Sequence, residues 1–223
     1  SSAASDGYKR HIPLCLGVFY SFTDWNGIKM TGFVGFANYK AMFNEPSFLW
    51  SLIITILFVV LNMVLVNVVA FMLALLCTSK VKGLSFFRAS YFPPNLIGGI
   101  VLGYIWQFVF SRVFVSIGET TGWSLFEISW LSTPNKAFAA LVLVSVWQLA
   151  GYMILIYVAG FMGLSEDVLE AASIDGASGW VKMKNIILPL MMSSVTICLF
   201  LTLSRAFMAV SYTHLTLPTI LRV

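Results

Sequence analysis

Charge is what this chain has least of. Only 10% of its 223 residues are Asp, Glu, Lys or Arg, where an ordinary soluble domain carries about 25%. Histidine is nearly missing too, with His11 and His214 both near the ends. A metal site or a histidine proton relay inside the apolar stretches therefore has no candidate. Three cysteines, Cys15, Cys77 and Cys198, stand far apart in or at the edges of apolar segments. They read as small packing residues, not as a disulfide framework. No G-x-x-x-x-G-K-S/T loop occurs, so any nucleotide hydrolysis would fall to another polypeptide. A net charge of +4 and a pI near 9.0 leave nucleic-acid binding as a rival reading. The oil content argues against it.

Hydrophobic residues make up 59% of the chain. Four intervals carry no charge at all: Pro46 to Ser79, Ala89 to Ser111, Ala137 to Ser165 and Asn185 to Ser204. Each reaches the roughly 20 residues that a helix needs to cross a bilayer core. Lipid offers the backbone no hydrogen-bond partner, so these are helices and not open strands. The fold class expected is all-α, a polytopic transmembrane bundle with four full spans. The spans are expected over Phe48 to Cys77, Asn95 to Phe110, Ala137 to Met162 and Ile186 to Met208. Pro93-Pro94 precedes the second of them, and outer loops run over Thr23 to Ser47 and Ser111 to Lys136. Ile12 to Phe22 is too short to span and reads as the end of a clipped first helix. Residues 1–11 are of doubtful origin.

Counting basic residues by alternate loops gives sidedness. Lys9, Arg10, Lys80, Lys82, Arg88, Lys182 and Lys184 fall on one side; Lys29, Lys40, Arg112 and Lys136 fall on the other. The richer side is cytoplasmic.

One polar segment, EAASIDGASGWVKMKNIILP from Glu170 to Pro189, interrupts the oil. Ser165 can cap a helix whose first turn holds Glu166 and Asp167, where negative charge meets the positive end of the helix dipole. That helix should run to about Ile174 and stop at Asp175-Gly176, since glycine takes the left-handed conformation that closes helices. Ser178 can cap a second helix with Trp180, Met183 and Ile187 on one face and Lys182 on the other. Ala171 and Ala172 form a small face that lets a partner approach, and Glu170 supplies a fixed charge. The bland alternative is a solvated inner loop.

The segment resembles the EAA loop of binding-protein-dependent ABC importers: E-A-A, three residues, G, nine residues, then I-x-L-P. Glu170, Ala171, Ala172, Gly176, Ile186, Leu188 and Pro189 all match. Ile174 to Ser178, Ser21 to Gly27, Gly35 to Tyr39 and Phe92 to Trp106 are similar to the carbohydrate branch of that family, and the resemblance covers roughly residues 12–208. It implies a type I importer permease domain over 12–208 whose coupling loop, 163–185, docks on a cytoplasmic ATPase. The contact would be carried by Glu170, Ala171, Ala172, Asp175, Gly176 and Ala177. It also implies a second permease subunit, two ATP-binding subunits, an extracytoplasmic solute-binding protein, a sugar cargo and no cofactor. By the same pattern a final helix is missing, and 209–223 is a non-family tail.

The cargo path is sought among neutral groups, since buried charge marks ion and proton pathways and none lies in the four charge-free intervals. Ser145, Gln148 and Tyr152 share a face of the span before the loop, with Trp147 beside them. The resemblance places Tyr152 at a sugar-contacting position. Trp106-Gln107 is a second pair. Against this, a Ser or Gln in a membrane helix is as often interhelical glue, worth about 0.6 kcal/mol. Asn62 and Asn67, five apart, read as packing groups. The rivals for the whole chain are an amino-acid, peptide or phosphate importer permease, an ion-coupled carrier, and a membrane scaffold.

Overall fold

A computed structural model describes residues 2–78 and 99–220, with side chains described for 11–78 and 99–208. The basic loop Thr78 to Arg88 and the Pro93-Pro94 pair lie almost wholly outside these residues. The chain divides into two compact units, Ser1–Ile56 and Leu57–Val223.

The first unit opens with α1, Ser2–Ser21, of which His11–Ser21 is apolar. Its loop is held by side chains standing in for missing backbone partners. Asn38 Nδ2 donates to the carbonyls of Ser21 at 3.0 Å and Thr23 at 2.7 Å. Trp25 stacks on Tyr20 with ring centroids 4.6 Å apart. Asp24 accepts from the backbone N–H of Thr31 at 2.9 Å and of Gly32 at 2.7 Å, and from the Thr31 hydroxyl. A short helix, α2 (Ala37–Asn44), follows inside the expected loop. The Thr31 hydroxyl, and after it the Gly32 N–H, hold the Asp24 carboxyl below the usual carboxylate value. A depressed folded-state pKa stabilises above the unfolded value and is lost as pH falls through the folded one. We expect the protection factors of the Thr31 and Gly32 amides, taken relative to intrinsic exchange at each pH, to fall as pH drops below the usual carboxylate range. Asp24→Asn should remove that fall.

The span helices lie where the charge-free intervals put them, with longer ends. α3 covers Pro46–Thr78 and α5 covers Pro134–Met162. Between them α4, Gly99–Thr121, carries a π-turn at Val109–Val113 and runs 11 residues past the expected Phe110. Arg112 ends the lipid-compatible stretch without ending the helix, because charge sets the membrane boundary and a C-terminal glycine sets the helix boundary. Gly122, at φ 71°, is that glycine, with its N–H on the Gly118 carbonyl at 2.8 Å. The loop beyond folds back on α4. Phe126 packs edge-to-face on Phe114 at 4.9 Å, and Trp130 stacks on Phe110 at 5.8 Å. Lys136 Nζ and Trp130 Nε1 both donate to the Leu125 carbonyl.

The last expected span is broken. α7, Gly179–Leu190, meets α8, Met192–Ile220, at a bend of 73° with Met191 alone between them. Pro189 has no N–H to donate to the preceding turn, and a π-turn at Met183–Ile187 lies just before it. Among the described residues three helices are thus long and apolar enough to cross a membrane, or four with the bent pair counted as one. α8 continues as backbone helix through the stretch set apart as a tail.

Two buried clusters hold α3, α5 and α8 together. Val66, Ala70, Met153, Tyr157, Met191 and Cys198 belong to the larger, and Phe58, Val142 and Ala206 to the smaller. Cys77 and Cys198 are buried as expected, whereas Cys15 is exposed. Asn67 does more than pack. It accepts from the Tyr157 hydroxyl at 2.8 Å and donates to Thr202 Oγ1 at 3.3 Å, joining three helices. The sequence hint was there: a mid-span amide in lipid must find partners.

Candidate functional site: the coupling loop and the polar face of the helix before it

α5 ends at Gly163, and α6 occupies Glu166–Ile174, the range expected. Ser165 and Ser178 have extended backbone suited to capping, yet neither hydroxyl makes a cap hydrogen bond. Charge in the first turn, from Glu166 and Asp167, is left to favour the start of α6.

The stop of α6 explains why the motif reads I-D-G-A. Ala177 N–H bonds the Ala172 carbonyl at 2.9 Å, and Gly176 N–H bonds the Ser173 carbonyl at 3.2 Å. This pair, 6→1 and 5→2 around a left-handed residue, is a Schellman closure. Gly176 supplies the left-handed residue at φ 81°. Asp175 precedes it as the terminal half-turn, and Ala177 follows.

The six residues of the expected ATPase contact therefore divide by role. Glu170 and Ala171 are exposed on α6, as are Asp175 and Gly176 at its tip. Ala172 is only 7% exposed and faces the protein's own interior, with Ala177 half-buried. The expectation that both alanines form one partner face is corrected: residues 171 and 172 are 100° apart on a helix, and only Ala171 is available.

Lys182 is the residue that sequence reasoning missed. It is not turned away from the loop. Its Nζ donates to the Leu169 carbonyl at 2.6 Å and to Ser173 Oγ at 2.8 Å, tying α7 to the body of α6. A cation near the C-terminal turns of a helix is also favoured by the dipole. We expect Lys182→Met to leave expression intact and to speed hydrogen exchange across residues 169–177, where the brace is lost. Lys184→Met, on the exposed side of the same turn, should exchange like the parent.

On α5, Ser145, Gln148 and Tyr152 fall on one face as expected. At 3.6 residues per turn that face lies about 180° from the core residues Ala150, Met153, Ile154, Tyr157 and Val158. Among the described residues no hydrogen bond links these three side chains to another helix. Trp147 sits apart from them. It meets Trp106 edge-to-face at 5.3 Å, and both line an apolar groove of about 910 Å³ with Leu61, Leu65 and Val142. Trp106 and Gln107 do not form a polar pair: the Trp106 indole nitrogen is buried without a hydrogen-bond partner among the described residues, and Gln107 is exposed.

Residues 33–219 match the model of the binding-protein-dependent transport system inner membrane component. The chain belongs to that family. This permease is 42% identical over 198 residues to the "Probable starch degradation products transport system permease protein AmyD" of Thermoanaerobacterium thermosulfurigenes, covering 88% of this chain and 67% of that one. It is 30% identical over 204 residues to the "Multiple sugar-binding transport system permease protein MsmF" of Streptococcus mutans, covering 89% and 69%. In fold it matches a bacterial ABC transporter involved in the import of the acidic polysaccharide alginate, with a TM-score of 0.73 at 18% identity, over 88% of this chain and 67% of that one. The chain thus spans about two thirds of the length of these relatives. Membership makes it a multi-pass transport subunit of the inner membrane and not an enzyme.

Proposed function

We propose that this permease passes sugars or sugar-like solutes across the membrane, driven by ATP hydrolysed on two separate cytoplasmic subunits. A second permease subunit completes the pathway, and an extracytoplasmic solute-binding protein delivers the cargo. Glu170, Ala171, Asp175 and Gly176 meet the ATPase. Ala172, Ala177 and Lys182 hold that surface in shape. Ser145, Gln148 and Tyr152 line the pathway, where neutral hydrogen-bonding groups suit a polyhydroxyl cargo. The family match runs from residue 33 to residue 219, so residues 209–219, set apart above as a non-family tail, fall within it.

The observation that carries the reading is the exposed edge of α6. Glu170 and Ala171, a carboxylate and a methyl exposed there, are held by a Schellman stop and a lysine brace although among the described residues no side-chain hydrogen bond engages them. The names of the relatives, two of which print starch products or multiple sugars, support the solute class. The test is uptake of labelled oligosaccharide into vesicles bearing the complete importer. Dependence on ATP and on the binding protein is expected, with Ala171→Cys crosslinking to the ATPase. Uptake driven by a proton gradient without the ATPase would overturn the reading in favour of a carrier.

A further inference from the structure

The coupling loop leaves the membrane helices and rejoins them at almost the same place. It departs where α5 ends, two residues beyond Gly160. It returns through α7 to the bend at Met191 and enters α8. Met191 is 1% exposed, and the backbone hydrogen bonds continue across it, Met191 N–H to the Ile187 carbonyl and Val195 N–H to the Met191 carbonyl, both at 3.0 Å. The bend is thus a bonded joint and not a frayed gap.

That joint rests on bare backbone. A Cβ built on Gly160 would stand 2.5 Å from Ser194 Oγ, and 3.0 Å from both Ser194 Cβ and Met191 Cε. The first residues of α8 therefore press on α5 at a position without a side chain. Eight residues further along α8, about 12 Å at 1.5 Å per residue, Thr202 is held by Asn67, itself held by Tyr157 of α5. α8 is thus pinned high by a hydrogen-bonded triad and seated low on a glycine.

We propose that the Gly160–Ser194 contact is the fulcrum of this permease. Movement of α6 and α7 turns the bonded joint against Gly160 and reaches the membrane helices as a tilt of α8. The inference rests on the importer reading above. Gly160 and Ser194 are positioning residues: they touch neither cargo nor ATPase in this scheme. A larger side chain at 160 would wedge the joint away from its seat, so that ATPase motion is taken up in the wedge.

The complete importer, reconstituted in vesicles with its ATPase and binding protein, tests this. The reading is solute transported per ATP hydrolysed for Gly160→Ala, Gly160→Val, Ser194→Gly and the pair Gly160→Ala/Ser194→Gly. The ratio should fall with side-chain size, about tenfold for Gly160→Val, while the assembled complex is recovered at parental yield. Ser194→Gly opens space without a clash, and in the paired variant it should restore the ratio to within about twofold of the parent. An unchanged ratio in Gly160→Val sinks the fulcrum, as does a loss in Gly160→Ala that Ser194→Gly does not relieve. Failure of the unaltered importer to couple uptake to ATP would instead remove the proposed function, so the two failures are told apart.

Discussion

Gly176→Val should uncouple ATP hydrolysis from solute movement, leaving ATPase activity in place while uptake falls tenfold or more. Gly176 sits at φ 81°, where a Cβ crowds the following carbonyl at a cost of roughly 1–2 kcal/mol, and a β-branched side chain fares worst. No atom waits within 4 Å of a Cβ there, so the penalty comes from the backbone and not from a clash. To relieve it, the chain must abandon the bonds from Ala177 and Gly176 to the Ala172 and Ser173 carbonyls. The stop of α6 then frays, and Glu170 and Ala171 lose their fixed position. Gly176→Asn should be mild, because asparagine visits the left-handed region more readily. Paired uptake and ATPase measurements on the two variants decide it. Equal uptake by Gly176→Val and the parent would mean that the stop is not needed for coupling.

Gly118→Leu should produce the largest loss of stability of any single change considered. A Cβ there would lie 2.5 Å from the Phe126 carbonyl carbon and nearer still to its oxygen, with the Glu127 nitrogen at 2.9 Å. These are backbone atoms, so no side chain can rotate out of the way. The outer loop must lift off α4, breaking the Phe114–Phe126 and Phe110–Trp130 ring contacts. Overpacking of this kind costs about 1–3 kcal/mol, and the lost aromatic pairs add about 0.5–1.5 kcal/mol each. Thermal melting of the purified protein should shift down by several degrees, with earlier proteolytic cleavage in 122–133. Gly103→Ala on the same helix, where nothing stands within 4 Å, is the control and should melt like the parent.

The two glycines differ in how they could be found. Gly176 was legible because the left-handed stop is a local device: its cost and its hydrogen bonds lie within six consecutive residues. Gly118 was not, because its role depends on Phe126, a residue whose approach is set by how the loop turns back. The same contrast runs through the site. Exposure of Glu170 follows from a charge on a short helix, but the inward turn of Ala172 depends on what α6 lies against. Lys182 read as facing away from Trp180 and Met183, and only the angle between α6 and α7 brings its ammonium to Leu169.

The spans were legible for a cruder reason. Moving charge into hydrocarbon is so costly that four charge-free runs had to cross or be buried, whatever else the sequence said. Asn62 and Asn67 show the limit of that rule. Both are fully or nearly buried, yet Asn67 joins three helices while the Asn62 carboxamide oxygen has no partner among the described residues.

By itself, then, the order of amino acids determined the helical membrane class, the place of the polar loop and its glycine stop. Each of these is a balance of solvation or backbone strain within one turn or one bilayer thickness. Tertiary structure decided the break at Met191, the seating of α8 on Gly160, the Lys182 brace and the direction in which the α5 polar face looks. Those turn on distances between residues tens of positions apart, which no local balance of solvation and strain encodes.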